Sequence, residues 1–499
     1  MKIMQTRFKI GLLVGLLAFT VSCKKFLEVK PVDTLSGSEF WKNEDDAVKG
    51  INGAYRLLLD KFLESTLYNT GDFRAGWWNW FNKRNLAALG RNDMLGGDLN
   101  SSDNSAGPKN WTQFYKAIAA ANLCIDRIPG IKDPAFSAQN RKALVAEARF
   151  IRAFTYFYMV RLYGDVPLQL DPYETAIKPR ADMISVLDTC IADLRSCEQD
   201  LPITYEDPTN RAVRATRGGA LTLMAHMYMW KAGFDAAHKQ ECWQQTAALG
   251  KRVMDLGVYE LLPYTKETFQ TIFKGRSLEG IFELSLDINY GVQFHSLIAQ
   301  WVLHEPIIHS SGDLYGGFGS EITPKRAFLD KIYPAGEPDK RFDLWFDDPY
   351  SNANPQSAMY LKFSSVSNPS TRDYDANFLI FRYADLLLLR AEALANLGNQ
   401  DAEAITLLNM VRTRAGARNY SGGGGTALQD AIFLERAKEL WGEGHFYYDL
   451  VRTGRVMDRN QCENYLTPEQ FQRRAWTWPI DLGAVKNNPL IIQNEFWSR

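Results

Sequence analysis

The sequence predicts a mainly α protein: four helical hairpins forming a rigid base, with a loop-rich, minor-β face laid over it. Three observations carry this. Long segments place apolar residues at the three- and four-residue spacing of one helix face. Those segments come in pairs. The stretch 264–374 then breaks the pattern with Gly, Pro, Ser, Asn and aromatic residues. A chain of 499 residues can bury a large core.

The elements follow in chain order. Lys2, Arg7 and Lys9 precede Ile10–Val21, an unbroken apolar and small run. Its twelve residues would rise about 18 Å as a helix, too little for a ~30 Å hydrocarbon layer. This is the form of an export leader over residues 1–22. Cys23, after Val21 and Ser22, resembles the lipidated cysteine of a bacterial lipobox, although Thr20 stands where leucine is usual. Several acyl chains on Cys23 would anchor the protein stably.

Glu44–Asp60 opens with acids in its first turn, which suits the helix dipole. Trp111–Ile128 stops at Pro129-Gly130, and Ala138–Gly164 stops before Pro167. Ile184–Leu201 answers it and ends at Pro202. Arg214–Gly233 pairs with Cys242–Gly257, and Leu379–Leu397 with Ala402–Ala415. The last pair, AEALANLGNQDAEAITLLN, is similar to a tetratricopeptide hairpin, with small residues where two helices cross. The pairs lack the steady 34-residue period of a uniform solenoid, so the chain divides into 23–263 and 264–499, packed as one composite domain. In the middle, GIFELSLD (Gly280–Asp287) reads as a strand. SGGGG at Ser421–Gly425 reads as a flexible connector. Loops as long as 264–374 are functional or disordered, and their aromatic content argues against disorder.

The chain has 57 basic and 58 acidic side chains; loss of the leader's three cations moves the net charge from −1 to −4. That excludes nucleic acid as the main partner, which needs a clustered positive surface. Cys124, Cys190, Cys197, Cys242 and Cys462 form no CxxC or His/Cys cluster. They read as small buried residues, with Cys190 and Cys197 about 10 Å apart along one helix and unable to pair.

Chemical motifs fail on their own spacing. His304 and His309 stand five apart with Pro306 between them, which turns the second about 140° from the first on a helix. Gly422, Gly424 and Ala427 have no preceding strand, so the dinucleotide pattern lacks its context. Asp98, Asn100 and Ser102 alternate as in a calcium loop but lack its Gly and Glu. No metal, cofactor or catalytic residue is assigned.

DFRAGWWNWFNKRN (Asp72–Asn85) combines flat rings with charged and amide side chains. A sugar ring stacks its C–H face on an aromatic ring and needs polar partners for its hydroxyls, so Asp72, Arg74, Trp77, Trp78 and Trp80 are candidate ligand contacts. As a helix the segment aligns Trp77 with Trp80; extended, it aligns Trp78 with Trp80. Trp80 belongs to either pair.

Six stretches together resemble one family: Glu147–Leu168, Arg214–Gly233, Phe381–Gly398, Leu408–Gly416, Glu435–Arg455 and Asn487–Trp497. It is the SusD/RagB family of outer-membrane nutrient-binding lipoproteins of Bacteroidetes. The resemblance implies tetratricopeptide-like hairpins carrying a loop-rich ligand face. It implies a cell-surface protein, lipid-anchored in the outer membrane, that works without cofactor as the lid of a SusC-like TonB-dependent transporter, with the hairpin side facing that partner. It implies a glycan ligand, or in some relatives a peptide. Family ligand rings come from the loop after the first helix and from the irregular middle, which adds Tyr290, Trp301, Tyr315 and Phe318 to the candidates. The Arg and Glu residues of ERAKELWGEG read as buried ion pairs. A lipid-anchored glycoside hydrolase and a tetratricopeptide scaffold binding only protein are the other readings.

Overall fold

The computed structural model describes residues 40–64, 66–81, 84–95, 107–286, 297–308, 319–351, 354–368, 373–374 and 376–498. Eight helices pair in the expected order: α1 (Glu44–Phe62) on α2 (Thr112–Arg127), α3 (Ala138–Tyr163) on α4 (Met183–Arg195), α5 (Arg217–Phe234) on α6 (Lys239–Asp255), and α7 (Tyr383–Leu397) on α8 (Asp401–Arg414). Side-chain caps set several starts. Asn43 accepts the Asp46 amide at 2.9 Å, Ser137 that of Asn140 at 3.0 Å, and Thr216 that of Gly219 at 3.0 Å. Each cap satisfies an amide that the helix leaves without a partner. Thr216 therefore starts α5 at Arg217 rather than at Arg214. α3 is the central helix: from Ala146 to Tyr163 all but Arg149 are buried. α9 (Thr426–Leu440) and α10 (Phe446–Arg452) follow the glycine-rich connector, and α9 packs on α7.

Two further boundaries differ from expectation. α4 ends at Arg195, so Cys197 lies past it; all five described cysteines are unpaired and buried. Leu379–Arg382, expected as the start of α7, belong instead to a strand, β8 (Phe378–Arg382), antiparallel to β2 (Gly280–Leu284). The apolar run of four, Phe378–Phe381, reads the same as strand or helix. Here both strands are buried throughout. Phe282 packs edge-on to Phe150 and Phe154 of α3, with centroids 4.7 and 5.3 Å apart.

The other sheets are two-stranded and small. β1 (Trp78–Trp80) pairs with β3 (Ile322–Pro324), β4 (Phe346–Asp347) with β5 (Met359–Tyr360), and β6 (Val366–Asn368) with β7 (Asp373–Tyr374).

A buried ionic network fastens this layer to the helices. On α9, Glu435 and Glu439 share a face, and Glu443 lies just beyond. Glu439 receives Arg341 at 2.8 Å, Arg382 at 2.6 Å and Arg414 at 2.6 Å. Glu443 receives Arg382 at 2.7 Å and Lys362 at 2.5 Å. Burial would raise the Glu439 carboxyl, but the three guanidiniums outweigh it and hold the group well below the usual carboxylate range. Arg436, on another face, pairs with Asp385 and Asp449, both at 2.9 Å. The acids and the arginine of ERAKELWGEG are therefore scaffold, as expected.

Candidate ligand-binding surface

The tryptophan stretch begins in a short 3-10 turn, Phe73–Ala75, which Gly76 ends with φ +88°. A side chain at that φ would be strained, and a Cβ would also press on Glu463 and Asn464. From Gly76 the chain runs extended. β1 pairs Trp78 with Pro324, Asn79 with Thr323 and Trp80 with Ile322. The pairing continues at both ends: Phe81 donates to the Glu321 carbonyl at 3.1 Å, and Lys325 to that of Trp77 at 3.0 Å. Glu321 in turn donates to the Trp301 carbonyl at 2.8 Å.

Strand alternation then sorts the indoles. Trp78 and Trp80 face the same way, edge-on to Phe73 at 5.5 and 5.2 Å. Trp78 is fully buried against Trp441 and Tyr360. Trp80, at the strand's end over Gly90, is half-buried. Trp77 faces away, stacks on Phe328 at 5.3 Å and 19°, and stays half-buried. Its indole N–H donates to the Gln461 carbonyl at 3.2 Å. Around Trp77 lie Lys325, paired with Glu463 at 2.5 Å, and Lys331, which donates to Gln461 Oε1 at 2.8 Å. Burial lowers the Lys331 ammonium, with Asp458 partly offsetting this.

Four candidate contacts are corrected by their burial. Asp72 is fully buried and accepts the amides of Gly442 at 3.2 Å and Gly444 at 2.7 Å. Burial raises its carboxyl to about 7, against the pull of those two amides. Arg74 is buried too. It donates to the carbonyls of Ala475 at 2.9 Å, Trp476 at 2.6 Å and Thr477 at 3.2 Å, and its guanidinium lies 4.5 Å from the Tyr447 ring centroid. Trp78 and Trp301, 0% and 2% exposed, belong to the core. These side chains present no face to an external ligand: Asp72, Arg74 and Trp78 tie the N-terminal loop to the C-terminal segments, and Trp301 packs on Phe73 with centroids 5.9 Å apart. Trp77 and Trp80 remain at the surface. Tyr290, Tyr315, Phe318, Cys23 and the Asp98/Asn100/Ser102 pattern lie outside the described residues.

The polar groups beside Trp77 had no local signal in the sequence. Lys325, Lys331, Gln461 and Glu463 come from two segments more than a hundred residues apart, and only the fold brings them to one indole.

His226, Asp385 and His445 place one ligand atom each within 4.8 Å of one another. Each is already engaged: His226 Nε2 lies 2.7 Å from Asp385, His445 Nε2 lies 3.0 Å from the Ile380 carbonyl, and Arg436 donates to Asp385 at 2.9 Å. A guanidinium thus supplies the positive charge that a metal would bring. Burial lowers both imidazoles, His445 to about 4, with Asp385 opposing the shift in each.

Fold and site together define a paired-helix scaffold that presents aromatic rings and paired charges at the edge of a short ribbon. Known proteins share the scaffold. Residues 25–229 match the family model described as "Starch-binding associating with outer membrane", and residues 346–497 match the SusD family model. SusD-like protein P38 of Formosa agariphila is 28% identical over 95% of each chain. A solved SusD homolog of Bacteroides thetaiotaomicron is 34% identical, covers 91% of this chain and 99% of its own, and superposes with a TM-score of 0.84. A laminarin-binding SusD-like protein, 23% identical over 91% of this chain and 99% of its own, shares the fold with a TM-score of 0.71. The chain belongs to the SusD/RagB family.

Proposed function

We propose that this protein binds oligosaccharide or polysaccharide at the outer membrane without altering it, and hands it to a SusC-like TonB-dependent transporter. The observation that carries the reading is the pair of half-buried indoles, Trp77 and Trp80, on opposite sides of one ribbon. Each offers a flat ring, and Trp77 has a lysine–glutamate pair, a second lysine and an amide within reach of a stacked sugar's hydroxyls. Stacking on such a ring is worth about 1–3 kcal/mol by analogy with nucleobases on aromatics. Tyr290, Tyr315 and Phe318 are further ring candidates on sequence grounds. The starch-binding family description and the laminarin-binding relative support a glycan. No described helix is long and apolar enough to cross a membrane, which accords with attachment through a lipid on Cys23. Family membership supports the transporter partner.

The test is incubation of the full chain with a panel of polysaccharides, read by retardation in affinity gels and by release of reducing ends. Retardation without release is expected. Reducing-end release that a single carboxylate substitution abolishes would replace this reading with a hydrolase, and capture of peptides instead of glycans would place the chain with the peptide importers.

A further inference from the structure

The helical base holds a recess of its own, away from the ribbon. It is a cavity of about 260 Å³ between α5, α6, α7, α9 and the end of α10. Its floor is an ion pair: Arg452 donates to both oxygens of Glu392, at 2.5 and 2.8 Å. One wall is Trp243 of α6, half-buried, with the exposed Lys239 ammonium 5.1 Å from its ring centroid. The other walls include the amides of Asn396 and Gln429.

The floor's charges are neutralised from within. Arg452 also donates to Asp449 at 2.9 and 2.7 Å, and Arg455 pairs with Asp430 at 2.6 Å. On the floor an ionic ligand would therefore have to break an existing pair to gain a new one, and the one charge outside these pairs among the described lining residues is the exposed Lys239 ammonium over Trp243. An apolar ligand would bury a carboxylate, a guanidinium and two amides without replacing their water, at a cost in free energy. The side-chain oxygens of Asn396 and Gln429 make no hydrogen bond among the described residues, since both amides donate through nitrogen to helix carbonyls, at 2.8 and 3.4 Å. Each carboxylate oxygen of Glu392 keeps a lone pair beyond its bond to Arg452.

What such walls favour is a small neutral molecule with several hydroxyl donors and one C–H face for the indole. The volume lies just under the roughly 300–1,000 Å³ of pockets for drug-sized ligands, which suits a single ring. We propose that this recess binds one neutral monosaccharide unit, its C–H face on Trp243 after Lys239 swings aside and its hydroxyls on Glu392, Asn396 and Gln429. The site is distinct from the ribbon. Between Phe433 on its wall and Trp77 lie the rings of Phe446 and Phe328, in successive contacts of 6.2, 5.4 and 5.3 Å. The proposal does not depend on glycan binding at the ribbon.

Saturation-transfer NMR on the full chain, in a detergent without a sugar headgroup, tests it with glucose, galactose, mannose, xylose and N-acetylglucosamine as probes. At least one is expected to receive transfer. In a Trp77→Ala/Trp80→Ala background, which removes the ribbon's rings, Trp243→Ala and Gln429→Leu should each weaken that binding, the former about tenfold as for loss of one stacking ring. Both pocket positions are half-buried, and unchanged thermal midpoints establish that the variants fold. The proposal is overturned if no probe receives transfer in that background, or if the signal survives in both pocket variants.

Discussion

The indole of Trp78 lies 4.5 Å, centroid to centroid, from that of Trp441. One residue belongs to the loop after α1 and the other follows α9, so this contact closes the N-terminal loop onto the C-terminal segment. Asp72 reinforces it by capping the amides of Gly442 and Gly444. Gly71 packs so closely on Gly444 that a Cβ there would run into its carbonyl. The three tryptophans of this stretch thus serve different ends: one holds the loop and two stand at its surface.

That division predicts opposite outcomes for neighbouring substitutions. Trp78→Ala empties a fully buried indole site and should cost about 3–5 kcal/mol of stability, read as a lowered denaturation midpoint. Trp80→Ala should shift the midpoint far less and weaken glycan retention several-fold. Equal stability losses in the two variants would refute the assignment of Trp80 to the surface.

The buried network predicts a second contrast. Glu439→Gln leaves Arg341, Arg382 and Arg414 short of their shared carboxylate, and breaking a buried pair costs about 3–5 kcal/mol. The sign with pH is definite. The folded-state carboxyl sits below its unfolded value, so its stabilisation is present above about pH 4.3 and is lost as pH falls toward the folded value. The gap between wild type and variant should therefore be full at pH 7 and narrow below about pH 4, as measured by denaturant titration at several pH values.

Much of this architecture was legible in the sequence, for a physical reason. Helix pairs announce themselves through periodicity, caps and breakers, so the four hairpins emerge in order. The strand β8 did not, because Phe378–Arg382 is buried on both faces and its apolar run carries no period. The site was legible only in part. Composition pointed to the tryptophan stretch, and alternation limited which indoles could share a face. Burial of Asp72 and Arg74 was hidden, because, Asn92 beside Arg74 apart, their hydrogen-bond partners among the described residues are backbone groups some 370 to 400 residues away. Charged residues in a loop ordinarily face water, and only the meeting with Gly442–Gly444 and Ala475–Thr477 reverses that.

Asp72 gives a further pH test, of the opposite sign to Glu439. Its folded-state carboxyl is raised to about 7 by burial, above an unfolded value of about 3.9. The folded protein holds this proton more tightly, so the contribution is fully present below about pH 3.9 and is lost as pH rises through about 7. Asp72→Asn cannot ionise and keeps one acceptor oxygen. The variant should be less stable than wild type at pH 5, and its deficit should shrink by pH 8. A deficit that stays constant or grows over that interval would contradict a buried, titrating carboxyl.

The cysteines test the core and the anchor together. Burial pushes the thiols of Cys124, Cys197 and Cys462 up to about 12 and that of Cys242 up to about 11, and it raises Cys190 as well. Thiolate is the reactive form, and all five side chains are also shielded from solvent. Native protein at pH 8 should therefore take up almost no iodoacetamide. After denaturation the mature membrane form should take up five equivalents, one for each of Cys124, Cys190, Cys197, Cys242 and Cys462, because a lipidated Cys23 carries its sulfur as a thioether. Six equivalents, counted by intact-mass spectrometry, would show a free thiol at Cys23 and remove the lipid anchor from the proposed function. Rapid labelling of the native protein would instead mean that one of the five hairpin and loop cysteines lies open to water, against its placement in the core.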